Sequence, residues 1–166
     1  MKIGIFDSGM GGLSVLHRAL RMIPEADFLY YADEEHVPYG EKTREQVRGY
    51  IDEIIAFMIK KQVDAIVIAC NTATSVATKE YRSQFPLPIV GMEPAVKKAV
   101  EEYADRPGRI LVAATPITIH ENRLIIQFKH LVNFNKCKYI IFLIFPQVLR
   151  GCFESDVKKR RKFLRQ

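Results

Sequence analysis

Cys70 sits in a setting that suits chemistry. It follows a short apolar run, residues 65–69, and precedes Asn71-Thr72-Ala73-Thr74. Such a run reads as a buried parallel strand. The thiol therefore falls where a strand ends and a helix begins, just outside the carboxyl edge of a sheet, which is where open α/β sheets place their ligands. A helix N-terminus and polar neighbours stabilise a thiolate, the reactive form of cysteine. Asn71 and Thr72 add neutral donors suited to a carboxylate or an ammonium. The plainer reading is an inert buried cysteine followed by an Asn or Thr helix cap.

Two more predicted strand ends carry small polar motifs. Asp7-Ser8-Gly9-Met10-Gly11-Gly12 offers a carboxylate able to receive or orient a proton. Its glycines let the backbone turn tightly and approach a ligand, and the helix that follows presents N–H donors. The Lys-Ser/Thr ending of a P-loop is absent. Ala114-Thr115-Pro116-Ile117-Thr118 brings two hydroxyls to a third strand end, where helix capping is the ordinary alternative. Pro38-Tyr39-Gly40 marks a turn in a polar loop. The three strand-end motifs should converge on one crevice. The histidines argue against a Cys–His hydrolase: His17, His36, His120 and His130 have no spacing that demands a role, and each reads as a surface or cap residue.

The elements that must hold these residues alternate strand and helix. Strands are predicted over 2–6, 27–31, 65–69, 89–90 and 109–114. A first helix runs to about Met22 and stops before Pro24. Thr43-Arg44-Glu45-Gln46 is a capping-box pattern. It opens a long helix with Val47, Ile51, Ile54, Ile55 and Met58 on one face. A helix is predicted over about 75–83 and another around Val96, Ala99, Val100 and Tyr103, broken by Pro107-Gly108. Alternation of this kind implies βαβ units and a parallel sheet. Past about Ile125 it fails. Residues 138–145 are dense in β-formers without a polar face. They read either as a buried edge strand or as a segment that does not pack on the rest and promotes aggregation.

Apolar content of 48% and charged content of 27% over 166 residues describe a soluble globular chain with one domain, or one domain and part of another. No apolar run reaches the length of a membrane span, the longest being residues 139–146. No signal peptide is read at the N-terminus. Three irregularly spaced cysteines make neither a disulfide framework nor a zinc motif, and the cytoplasm is the expected compartment. The net charge of +6 is unevenly placed: residues 1–125 carry −2 and residues 126–166 carry +8. A basic end of this kind, closing with Lys158-Lys159-Arg160-Arg161-Lys162, invites phosphate contacts, although no nucleic-acid-binding module is recognisable in it.

Taken together, Asp7-Ser8-Gly9-x-Gly11-Gly12, Pro38-Tyr39-Gly40, Cys70-Asn71-Thr72-Ala73 and Ala114-Thr115-x-x-Thr118 resemble, in order and spacing, the glutamate racemases of the aspartate/glutamate racemase superfamily. The likeness covers about residues 1–125. It implies an α/β fold, a parallel sheet with flanking helices, in which two similar domains face each other. It also implies an isomerase that uses no cofactor and no metal and supplies D-glutamate for peptidoglycan. By the same resemblance Cys70 is one proton-transfer base and Asp7 its assistant, while Ser8, Pro38, Tyr39, Gly40, Asn71, Thr72, Thr115 and Thr118 bind the amino acid. The expected partner is glutamate, without membrane or nucleic acid, and a homodimer stays open.

The family's second cysteine lies in Gly-Cys-Thr-His. Gly151-Cys152 matches two letters and then continues Phe153-Glu154, and Cys137 lacks even those. The expected organisation is a first racemase domain over 1–105, the beginning of a second, incomplete domain over 106–125, and an unrelated basic tail over 126–166. A frameshift or premature stop near residue 125 would give this pattern. Aspartate racemase is the neighbouring enzyme alternative. A non-catalytic remnant, whose basic tail binds nucleic acid or acidic surfaces, is the alternative of another class.

Overall fold

The computed structural model describes residues 1–93, 95–102, 108–120 and 137–143. Four parallel strands form the main sheet: β1 (Lys2–Asp7), β2 (Asp27–Ala32), β3 (Ala65–Ile68) and β4 (Ile89–Gly91), in the order β2-β1-β3-β4. The connecting helices are α1 (Leu13–Met22), α2 (Arg44–Lys60) and α3 (Asn71–Gln84), with a 3-10 turn at Tyr39–Glu41. Helix α4 (Val96–Glu102) follows, then β5 (Gly108–Ala114), α5 (Pro116–His120) and β6 (Cys137–Leu143).

Strand parity sorts the core into two layers, because successive side chains point to opposite faces of a sheet. Ile3, Ile5, Val67 and Ala69 face one way and pack with Leu16, Ala19 and Ile23 of the α1 region. Phe6, Ile66 and Ile68 face the other and pack under α2 and α3. Helix α2 buries the five residues that its periodicity predicts, Val47, Ile51, Ile54, Ile55 and Met58, each side chain contributing about 1.5–3 kcal/mol of apolar burial. Its start is fixed by the full capping box: Gln46 N–H donates to Thr43 Oγ1, and Thr43 N–H donates to the Gln46 side chain. Helix α1, by contrast, buries no residue fully.

Two expectations are changed here. Helix α3 begins at Asn71, about four residues earlier than predicted, because Cys70 itself is the N-cap and Ala73 N–H donates to its sulfur. The strand at β5 is not a fifth member of the main sheet. It pairs in parallel with β6, from Gly108 opposite Cys137 to Ala114 opposite Leu143. Within residues 138–145 the structure has a strand through residue 143, paired with β5; residues 144 and 145 lie outside the described residues. His130, Cys152 and the basic cluster at 158–162 lie outside the described residues.

Candidate active site

The register of the main sheet builds the site. Phe6 lies opposite Ile68 in the β1–β3 pairing, and Ala69 N–H donates to the Phe6 carbonyl at 2.8 Å. Two residues further along both strands, the same parallel register brings Ser8 beside Cys70. The Cys70 thiol donates to Ser8 Oγ at 3.4 Å. It also accepts from Ala73 N–H at 3.4 Å, so the sulfur is held between a rotatable hydroxyl and a helix amide. Cys70 is 7% exposed, and parity turns it to the side opposite Ala69, among the core residues under α2 and α3.

Asp7 uses the other strand end in a parallel way. Its Oδ2 accepts from Gly12 N–H at 2.8 Å, at the start of α1. Gly12 is required by space rather than by conformation: a Cβ there would lie 2.7 Å from Asp7 Cβ and 3.0 Å from Ala69 Cβ. Tyr30 completes the turn, its hydroxyl donating to the Gly9 carbonyl at 2.9 Å. Burial, with the Asp7 and Glu34 carboxylates nearby, raises the Tyr30 pKa above the usual phenol value.

The third motif arrives from β5 and α5. Thr115 Oγ1 lies 3.0 Å from Thr72 Oγ1 and 3.0 Å from Thr118 Oγ1, and Thr72 and Thr118 are 3.5 Å apart. Three hydroxyls thus meet between the start of α3 and the start of α5. Thr115 also accepts from Thr118 N–H at 3.3 Å, so it caps its helix and joins the cluster at once. Capping and lining are compatible roles for one side chain.

These groups surround a cavity of about 740 Å³. Asp7, Cys70, Asn71, Thr72, Thr115 and Thr118 line it, with Pro38 and Gly40 on one wall. Three strand-end motifs therefore do share one crevice. Ser8 is not a wall residue but touches Cys70 directly. Gly11 of the first motif also lines the cavity, with Ser14, Val15, Met92, Glu93 and Ala95. Nothing in the local sequence pattern marks the last five.

Tyr39, like Ser8, is an expected substrate-binding residue that does not line the cavity. It is 2% exposed and belongs to the core beneath the wall, not to the wall itself. Its hydroxyl donates to Asp33 Oδ2 at 2.5 Å. Burial, and then that bond, raise its pKa far above the usual phenol value, so it remains a donor. His36 is likewise no simple surface residue: its Nδ1 lies 2.8 Å from Asp33 Oδ1, and its ring stacks on Tyr50 at 3.8 Å. Asp33, 3% exposed, was invisible in sequence because Asp in a polar loop is ordinary.

Fold and site define a parallel α/β protein with a thiol, a carboxylate and a hydroxyl cluster gathered at the carboxyl edge of the sheet. The chain belongs to the Asp/Glu/Hydantoin racemase family, which it matches over residues 8–133. It is 47% identical over 157 residues to the glutamate racemase of Lachnospira eligens, covering 94% of this chain and 58% of that protein. With the glutamate racemase of Campylobacter concisus it shares 52% over 160 residues, covering 94% of this chain and 60% of that one. Both alignments run past residue 125 into the basic segment. Among solved structures, Escherichia coli glutamate racemase in complex with L-glutamate and the activator UDP-MurNAc-ala is similar. There the TM-score is 0.76 with 28% identity, over 99% of this chain and 64% of that one. The chain thus spans 58% and 60% of the length of these two curated relatives.

Proposed function

We propose that the Cys70 cavity is a proton-transfer site acting on Cα of glutamate without a cofactor, one face of a glutamate racemase. The observation that carries this reading is the sulfur held between Ser8 Oγ and Ala73 N–H on the wall of a hydroxyl-lined cavity. As a thiolate, Cys70 removes the α-proton and becomes a thiol. The electron pair of the Cα–H bond moves into the substrate carboxylate, which needs donors preorganised where the charge develops. In this reading the hydroxyls of Thr72, Thr115 and Thr118 and the amide of Asn71, which line the cavity, give them. The thiol then returns a proton to the carbanion. Ser8 can follow the sulfur through this cycle, accepting from the thiol and donating to the thiolate, because a hydroxyl proton rotates.

Glutamate is favoured over aspartate by the names of the relatives and by the L-glutamate in the E. coli structure. A cytoplasmic isomerase that supplies D-glutamate for peptidoglycan is the cellular role consistent with this chemistry. The reading is tested by alkylating Cys70 with iodoacetamide in the presence of L-glutamate, D-glutamate or aspartate, and following the modified peptide by mass spectrometry. Glutamate should slow modification of Cys70 with saturation. Stronger protection by aspartate would reassign the substrate, and no protection by either would remove the site from amino-acid chemistry.

A further inference from the structure

The residue that organises the Pro38–Gly40 wall lies outside the cavity. Asp33 directly follows β2, and its backbone N–H donates to the Asp7 carbonyl at 3.0 Å. Its carboxylate reaches the other way, accepting from the Tyr39 hydroxyl at 2.5 Å and meeting His36 Nδ1 at 2.8 Å. Tyr39 opens the 3-10 turn, which is closed by Glu41 N–H donating to the Pro38 carbonyl and Lys42 N–H to the Tyr39 carbonyl. Gly40, the next residue, abuts the hydroxyl cluster so closely that a Cβ would lie 2.9 Å from Thr115 Cγ2. A continuous path thus runs from Asp33 through Tyr39 and Gly40 to Thr115.

We infer that Asp33 is a positioning residue, which pins Tyr39 and thereby holds the Pro38–Gly40 wall against Thr115 so that the cavity keeps its substrate-binding shape. A buried carboxylate needs partners to offset its desolvation, and here the partners are Tyr39, at the centre of the wall segment, and His36, just before it. A hydrogen bond to a charged group is among the stronger ones in a protein, so it suits a tie that must keep a three-residue turn in place. The Cys70 sulfur is held separately, by Ser8 and Ala73. Losing the tie should therefore weaken substrate binding far more than proton transfer.

This inference rests on the proposed proton-transfer reading for its kinetic arm only. Tyr39→Phe removes the hydroxyl and keeps the core volume, and Asp33→Asn removes the charge and one acceptor. Two readouts are measured on each: KM and kcat for solvent deuterium entering glutamate, and amide hydrogen exchange at Glu41 and Lys42 in the ligand-free chain. Both variants should raise KM about tenfold, with a much smaller change in kcat, and should speed exchange of those two amides about tenfold. Amides of the α2 core should keep their rates. A merely structural role gives the opposite split, because partial unfolding lowers apparent kcat and leaves KM of the folded fraction unchanged. Wild-type rates at Glu41 and Lys42, or an unchanged KM, would overturn the inference. If the wild-type chain exchanges no deuterium into glutamate, the functional reading fails, and the two amides alone decide whether Asp33 holds the wall.

Discussion

The two strand ends at β1 and β3 solve one structural problem in two ways. Each must satisfy the amides of the helix that follows, and each does so with a group capable of acid–base chemistry. At β1 the carboxylate of Asp7, five residues before Gly12, takes the amide at 2.8 Å. At β3 the thiol of Cys70 is itself the cap and takes Ala73 N–H at 3.4 Å. The carboxylate bond is short and charge-assisted, of the kind that fixes a group in place. The sulfur contact is looser and shared with a hydroxyl that can reverse its direction. The same topology thus ties Asp7 to its helix amide by one short bond and holds the Cys70 sulfur by two longer contacts.

That contrast can be broken experimentally. Asp7→Asn keeps an oxygen for Gly12 N–H and removes the charge. If Asp7 assists proton transfer, deuterium exchange into glutamate should fall about a hundredfold with little loss of stability. Unchanged exchange would reduce Asp7 to a tie in the turn. Gly12→Ala tests the close approach. The new methyl meets Asp7 Cβ and Ala69 Cβ, and urea unfolding should show a destabilisation of about 1–3 kcal/mol. A neutral result would mean that the turn relaxes freely and the Asp7 geometry is not constrained by it. Ser8→Ala should have the smallest effect, lowering exchange about tenfold by removing one neutral partner of the sulfur. Exchange at the wild-type rate would place the control of the thiol entirely on the helix amide.

What was legible in the sequence follows the range of the interactions involved. The start and the buried face of helix α2 were readable because that face repeats every turn and the capping box is local. The three polar strand ends were readable because strand–turn–helix patterns are local too. The Ser8–Cys70 contact was not, since it depends on the register between β1 and β3, across 62 residues. The start of α3 was misplaced because Asn-Thr-Ala-Thr looks like loop and cysteine is not an expected cap. Tyr39 on its own read as a packing or loop residue, and as a substrate-binding one only by resemblance; nothing local reveals Asp33 as the acceptor that draws its hydroxyl inward. The pairing of β5 with β6 is likewise long-range, linking strands whose matched residues are 29 positions apart in the chain.

The central claim is that Cys70 exchanges the α-proton of glutamate with solvent from one face. It is tested most directly by incubating the 166-residue chain with each glutamate enantiomer in D2O and following loss of the α-proton signal by NMR, beside the Cys70→Ala variant. The account predicts deuterium entering one enantiomer slowly, and a loss of about a thousandfold or more in the variant. Exchange that persists in Cys70→Ala would contradict it, because the proton would then be moving through a group other than this thiol.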